Sequence, residues 1–320
     1  MSSSFSSSSQ SLGFTLTPGW VLLILSAVLT LTTSIYLSAL NSTLQDSKDQ
    51  HNKPGVYGAM SADFDWCERN HHYSPYIAEP FNTITSLTYC AVAVFAFMHH
   101  RKHGEVRMLV LYAALFIIGI GSTLFHGTLQ YQMQLMDELP MLYLILTASW
   151  SLFERNDLSG STGGKVRALI LFVISVACTI LTTCTPKESQ AHNIGRTLMV
   201  ISFSVCFAYV FYAASTASAE HQQLLGKDAR NPMSEMFSYG FLCIMVALVS
   251  WIIDNMSCEF LYSLPVYPQL HAIGWHFGTA SGVYFMYLAV YIQRLGLRKY
   301  KYSLDHVYLL PFIPIPVIRA

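Results

Sequence analysis

Five polar side chains interrupt or border the most apolar stretches of this sequence. Ser122 and His126 stand four residues apart in GSTLFHGTL, Asp137 follows in QLMDELPMLY, and His271 and His276 lie in LHAIGWHFGTASGVY. Four residues make about one helical turn, so Ser122 and His126 share a helix face. Three histidines around an open fourth position form the ligand set of a catalytic zinc ion. Zinc held in this way lowers the pKa of bound water to about 7. A nearby carboxylate such as Asp137 is suited to move the proton from that water to a leaving amine. The Ser122 hydroxyl can donate to an oxygen on which negative charge develops. Each residue also has a plainer reading. A lone histidine inside a membrane commonly bonds one helix to another, and Asp137 with Glu138 fits a cap at a helix start. Their convergence at one depth is what favours a metal, and that depends on the elements that carry them.

Those elements are membrane spans. The 320 residues are 53% hydrophobic and 11% charged, against about 25% charged in soluble domains, and the mean hydropathy is +0.41. Net charge is zero and the sequence pI is near 7.2, so nothing points to nucleic acid. Seven cysteines without a CxxC pair argue against a cysteine-rich zinc module. Eight apolar runs lie near Trp20–Leu40, Thr83–Met98, Met108–Leu124, Leu139–Phe153, Ala168–Cys184, Thr197–Ala217, Phe237–Ile253 and Ile273–Ile292. A lipid-spanning helix needs about 20 mostly apolar residues, with its backbone bonded internally. The expected fold is therefore all-α: a seven-transmembrane helix bundle with an additional N-terminal transmembrane anchor.

Residues 1–18 form an uncharged Ser-rich tail and 19–40 the anchor, with a cleaved signal peptide as the alternative. Residues 41–81 are a polar, acidic lead-in, 82–300 the bundle and 301–320 a C-terminal tail. Of 18 Lys and Arg, thirteen fall on one set of alternate connections, from Arg101 through Arg230 to the tail at Arg319. The other set holds Lys48, Lys53, Arg69, Lys187 and Arg196. Cytoplasmic loops are enriched in such residues. The C-terminus is thus expected in the cytosol and the lead-in on the opposite side, in a multi-pass protein. All five candidate residues then lie towards the outer ends of their helices. Asn41-Ser42-Thr43 is a glycosylation sequon on that side, directly after the anchor. Cys67 and Cys258 also fall there, where either a disulfide or two free thiols is compatible with the compartment. In the lead-in, Asp65, Trp66, Glu68, Asn70 and Glu79 offer side-chain and backbone oxygens of the kind calcium prefers. On the residues alone, a solvated acidic loop is the better reading.

At these residues the sequence resembles the alkaline ceramidases, a family of seven-helix membrane amidases. The matching blocks are FDWCERNHHYSPYIAEPFNTITSLTY, GIGSTLFHGTLQYQMQLMDELPMLY, WIIDNMSCEF and LHAIGWHFGTASGVY, spanning residues 55 to about 300. The resemblance implies that His126, His271 and His276 bind zinc, Asp137 is the acid–base carboxylate, and Ser122 stabilises the oxyanion. It also implies a regulatory calcium ion on Asp65, Glu68, Asn70, Glu79 and the Trp66 carbonyl, and a Cys67–Cys258 disulfide. The implied reaction cleaves ceramide, drawn from the bilayer, into a sphingoid base and a fatty acid, in the endoplasmic reticulum or Golgi. No protein partner is legible.

One departure bears on the metal. The family's last-helix motif reads HxWWH, whereas here the histidines are five apart, in HAIGWH. In a regular helix of 3.6 residues per turn, five residues place them about 140° out of alignment. Both reach one metal if His271 precedes the regular helix or if Gly274 marks a π-bulge. Two other readings stand beside the amidase: a hydrolase of another lipid amide or ester, and a lipid-sensing or non-catalytic relative.

Overall fold

The computed structural model describes residues 53, 55–101, 106–153, 162–226, 229–297, 301–308 and 314–319. The anchor expected at 19–40, the Ser-rich tail and the sequon at Asn41 lie outside the described residues. Among the described residues, long helices run in the order α1 Pro80–His100, α2 Val106–Thr128, α3 Tyr131–Phe153, α4 Thr162–Thr183, α5 Gln190–Leu225 and α6 Pro232–Met256. A short α7, Cys258–Ser263, leads to a π-helical segment, Leu270–Phe277, that continues directly into α8, Gly278–Leu297. The chain is mostly helical. Five of these helices are long and apolar enough to cross a membrane: α1, α2, α4, residues Gln190–Gln223 of α5, and α6.

Apolar side chains fill the interior of the bundle and also cover its outer face. α1 turns Asn82, Ser86, Tyr89, Ala93, Ala96 and His100 inward and leaves Phe81, Ile84, Leu87, Val94 and Met98 exposed. Polar groups on the inside and bare aliphatic side chains on the outside suit hydrocarbon surroundings, where only the interior can satisfy a polar atom. α3 opens with Gln132, Gln134, Asp137 and Glu138, which keeps it out of that apolar set. Its charge is paired: Arg196 of α5 bonds Glu138, and Asp63 of the lead-in meets Lys187 at 2.6 Å and Arg196 at 3.5 Å.

Helices α2 and α3 are brought unusually close at the level of Asp137. Pro140 lies inside α3 and has no N–H, so it leaves the Met136 carbonyl without its helical donor. That carbonyl lies against Gly121, where an added Cβ would come within 2.1 Å of the Met136 oxygen. The obstacle is backbone and cannot rotate away.

Two features revise the expected architecture. The lead-in is packed rather than solvated, with Asp65, Trp66, Cys67, Glu68, Asn70, Ala78 and Glu79 all buried. Cys67 and Cys258 form a disulfide, with Cα atoms 5.1 Å apart across 191 residues of sequence, which fastens the lead-in to the start of α7. The other revision concerns the last residues, since the chain is not all-α. Ser303–Tyr308 (β1) and Pro314–Arg319 (β2) form an antiparallel ribbon with Val317 and Ile318 buried. Tyr284 donates to the Pro316 carbonyl at 2.6 Å, and the Ile318 N–H reaches His100 Nε2 at 3.4 Å. Read as a basic tail, this segment hid its alternation: in PIPVIR both prolines fall on one strand of a two-stranded ribbon, where a missing donor is tolerated.

Replacing Gly121 by Val should force α2 and α3 apart. Overpacking of this kind costs about 1–3 kcal/mol. The expected outcome is a lower Tm in detergent together with loss of activity, while Gly296→Ala, with open space around its Cβ, should leave both unchanged.

Candidate metal centre

His126 sits in the last turn of α2, while His271 and His276 come from the π-helical segment. The three rings converge, with centroids 5.2 Å apart for His126–His271, 5.1 Å for His126–His276 and 4.8 Å for His271–His276. All three are buried, and their candidate ligand atoms lie within 4.8 Å of one another. Among the described residues this is the one such group. A π-helix closes i→i+5 bonds, so residues five apart are brought round to the same side. The segment begins at Gln269, with φ 50°, and ends where the Gly278 N–H is shared between the Gly274 and Trp275 carbonyls. Gly274 lets the segment pack closely on α6, since a Cβ there would run into the Ser250 side chain.

Hydrogen bonds fix which ring nitrogen of two histidines faces the centre. His126 Nδ1 lies 2.5 Å from Glu79 Oε2. A carboxylate accepts only, so an ionised Glu79 would hold His126 protonated on Nδ1 with a bare Nε2. His276 Nδ1 lies 2.7 Å from Thr85 Oγ1, whose own proton goes to the Phe81 carbonyl at 2.8 Å. With Thr85 as the acceptor, His276 too keeps a bare Nε2. That Nε2 is buried with no hydrogen-bond partner, a costly state for a lone pair unless a cation takes it. The donor set fits a divalent metal, with its ring orientations set by partners one shell out. Trp66 stacks on His271 at 3.9 Å between centroids. Asp254, wholly buried, accepts from the His271 N–H at 3.3 Å, from Tyr267 at 2.8 Å and from the Cys67 N–H at 3.2 Å.

Beside this group, Ser122 and Asp137 are electrostatic neighbours, and Ser86 Oγ lies 3.0 Å from Ser122 Oγ. Ser122 is one turn from His126 on α2, so the hydroxyl and carboxylate flank the histidines. Tyr89 meets His276 edge-on at 5.7 Å and bonds Thr279 at 2.6 Å. Sequence reasoning gave no role to Thr85, Tyr89 or Asp254. Thr85 and Tyr89 stand in NTITSLTY and Asp254 in WIIDNM, blocks noted for resemblance only, and no spacing rule connects them to histidines so far along the chain.

The acidic residues of the lead-in are neighbours of this centre. Asn70 donates to Asp65 at 2.9 Å. Glu68 accepts from the Phe81 and Asn82 N–H groups, both at 2.8 Å, and so caps α1. Glu79 spends one oxygen on the Trp66 N–H at 3.3 Å and the other on Asn82, at 3.1 Å, and His126. The carboxylates thus do not converge on one point as the histidines do. Burial nonetheless pushes the Glu68 carboxyl up to about 7, against the two backbone bonds. Burial, then the charges of Asp65 and Glu68, raises Glu79 well above the usual carboxylate range. Buried carboxylates repelling one another are what a bound cation would relieve.

The ceramidase family profile matches residues 58–319. The chain belongs to the ceramidase family. It is 30% identical over 258 residues to alkaline ceramidase 3 of Mus musculus, covering 77% of this chain and 89% of that protein. It is 29% identical over 241 residues to alkaline ceramidase YPC1 of Saccharomyces cerevisiae, covering 72% and 76%, and 27% identical over 269 residues to an alkaline ceramidase of Arabidopsis thaliana, covering 81% and 94%. The matched region of this ceramidase-family chain contains every residue of the histidine group and of the Ser122–Asp137 pair.

Thr85→Val should weaken metal binding about 10–100-fold, the usual cost of losing a partner that orients a ligand, as read by chelator competition. The pH dependence also has a definite sign. Glu68 is raised above its unfolded value, so without a cation its contribution to stability is present at low pH and lost as pH rises through about 7. A cation that pairs with it removes this loss. If calcium occupies this cluster, the gain in Tm on adding it should be larger at pH 8 than at pH 5.5.

Proposed function

We propose that this chain is a zinc-dependent amidohydrolase that cleaves ceramide into a sphingoid base and a free fatty acid within the membrane. The observation that carries the reading is the buried histidine triad with two Nε2 atoms preset towards its centre, flanked by Ser122 and Asp137. The relatives supply the substrate class, since those named above are alkaline ceramidases. A metal on His126, His271 and His276 would supply Lewis acidity and activate water at neutral pH. The protein's own groups do the rest. Asp137 takes a proton from the attacking water at its carboxylate and delivers it to the departing amide nitrogen. Ser122, one helical turn from His126, donates through Oγ to the former carbonyl oxygen as it gains charge. Thr85 and Glu79 hold the two histidines in the tautomer that a metal requires.

The substrate's hydrocarbon chains need an apolar path from the bilayer. A cleft of about 540 Å³ between α2, α3 and α4 is lined by Ile117, Leu135, Met136, Leu139 and Tyr143, among others. Gln132, Thr182 and Lys187 also line it, and Ser122, His126, Asp137, His271 and His276 do not. We place the seven long helices as seven spans, with the residue 19–40 stretch as an eighth and the C-terminus in the cytosol. The lysine and arginine distribution supports that orientation, and an endoplasmic reticulum or Golgi membrane suits the disulfide on the far side. Asp65, Glu68, Asn70, Glu79 and the Trp66 carbonyl are proposed to hold a calcium ion. Because Glu79 also grips His126, such an ion would act on the catalytic level directly.

The deciding experiment measures zinc content and ceramide hydrolysis together. One zinc per chain with turnover is expected, both lost in His126→Ala, His271→Ala and His276→Ala. Asp137→Asn is expected to keep the zinc and the Tm while turnover falls by about 10²-fold or more, the scale of a general acid–base contribution. Turnover that survives Asp137→Asn would remove that residue from the chemistry, and a zinc-free, active wild type would overturn the reading.

A further inference from the structure

Between His71 and Ala78 the chain leaves the bundle and returns as a closed loop. His71, with φ 55°, turns the backbone outward, and its N–H donates to the Ala78 carbonyl at 2.8 Å. Ser74 and Ile77 pair as an isolated bridge, and the Tyr76 N–H donates to Ser74 Oγ at 3.1 Å. A further bond, from the Val56 N–H to the Pro75 carbonyl at 3.0 Å, holds the loop to the preceding segment. The loop is fixed from within, yet its apex is bare. Tyr73 is 70% exposed and Tyr76 66%. Loop tips that face water are ordinarily built from small polar residues. Paired tyrosines, apolar in the ring and polar at the tip, suit the boundary between hydrocarbon and water.

The position of the loop agrees. The Tyr73 ring meets Phe81 edge-on at 6.1 Å. Phe81 heads the exposed stripe of α1, followed by Ile84, Leu87, Val94 and Met98, on a helix apolar enough to cross a membrane. The aromatic apex therefore continues, through one ring contact, into the surface that the bundle gives to lipid. At its base the loop is tied to the metal level: the Ala78 N–H donates to the Gly127 carbonyl at 2.9 Å and the Glu79 N–H to the His126 carbonyl at 3.0 Å.

We propose that the 71–78 loop is an interfacial anchor whose occupant is the lipid surface: Tyr73 and Tyr76 insert among the headgroups of the leaflet on the histidine side and so fix the depth of His126. An amide-linked lipid carries its amide just beneath that same headgroup layer, so the anchor would align the metal level with the bond to be cut. The anchoring itself does not depend on the identity of the metal or of the substrate.

The test introduces Tyr76→Trp and, separately, Tyr73→Trp into the full chain in phosphatidylcholine nanodiscs. The added emission is obtained by difference from the wild type, which has five tryptophans. The expected result is blue-shifted added emission that is lost when the acyl chains are brominated near the carbonyl end, and that acrylamide quenches several-fold less than it quenches a free tryptophan amide. Water-like emission at both positions, quenched as fully as the free amide and unaffected by brominated lipid, would overturn the proposal. Because two positions report independently, a variant that fails to fold at one leaves the other to decide. The readout is fluorescence, so its failure is distinguishable from a failure of the hydrolase reading.

Discussion

Glu79 and His126 share a proton-bearing contact between two fully buried side chains, and the rest of the site is arranged around it. In hydrocarbon neither partner can exist alone: an isolated buried carboxylate or a buried imidazole without a bond costs several kcal/mol. The contact therefore constrains both sides at once. It requires the lead-in to fold down onto α1, because Glu79 immediately precedes that helix. It also requires the last turn of α2 to point His126 Nδ1 at the lead-in, which leaves Nε2 for the interior. Glu68 reinforces the arrangement by capping α1 from a distance, and the disulfide from Cys67 to Cys258 ties the same segment to the far side of the bundle. Acidic cluster and histidine group are in this sense one structure, with Glu79 as the shared member.

Much of this was legible in the sequence, for physical reasons that differ from element to element. The long apolar runs were readable because a membrane imposes a length and a composition on every span. The three histidines and Asp137 stood out because a polar group in such a run is expensive. Asp254, Thr85 and Tyr89 were not readable in the same way. Their roles depend on which atom of a distant side chain they meet, and no periodicity encodes a contact between Thr85 and His276, 191 residues apart. The C-terminal ribbon was missed because two short strands, one of them carrying two prolines, have little pattern of their own, and the ribbon docks against Tyr284 and His100.

The lead-in shows the limit of compositional reading most clearly. Asp65, Glu68 and Asn70 lie in a polar stretch that would suit solvent, yet every one of them is buried. What reverses the expectation is the hydrogen bonding: Asn70 to Asp65, Phe81 and Asn82 to Glu68, Trp66 to Glu79. Each carboxylate finds backbone or amide donors that replace water, which is the condition for burying such a group at all.

The π-helical turn ahead of α8 has a consequence for how this chain can vary. One residue added to an ordinary helix rotates everything beyond it by about 100°, which would swing the buried face of α8, with Tyr284, Tyr287 and Tyr291, away from the bundle. A π turn absorbs the extra residue locally, so the helix downstream keeps its register. The spacing in HAIGWH is accommodated in this way: histidines five residues apart face one centre, while Tyr284, Tyr287 and Tyr291 keep their buried face.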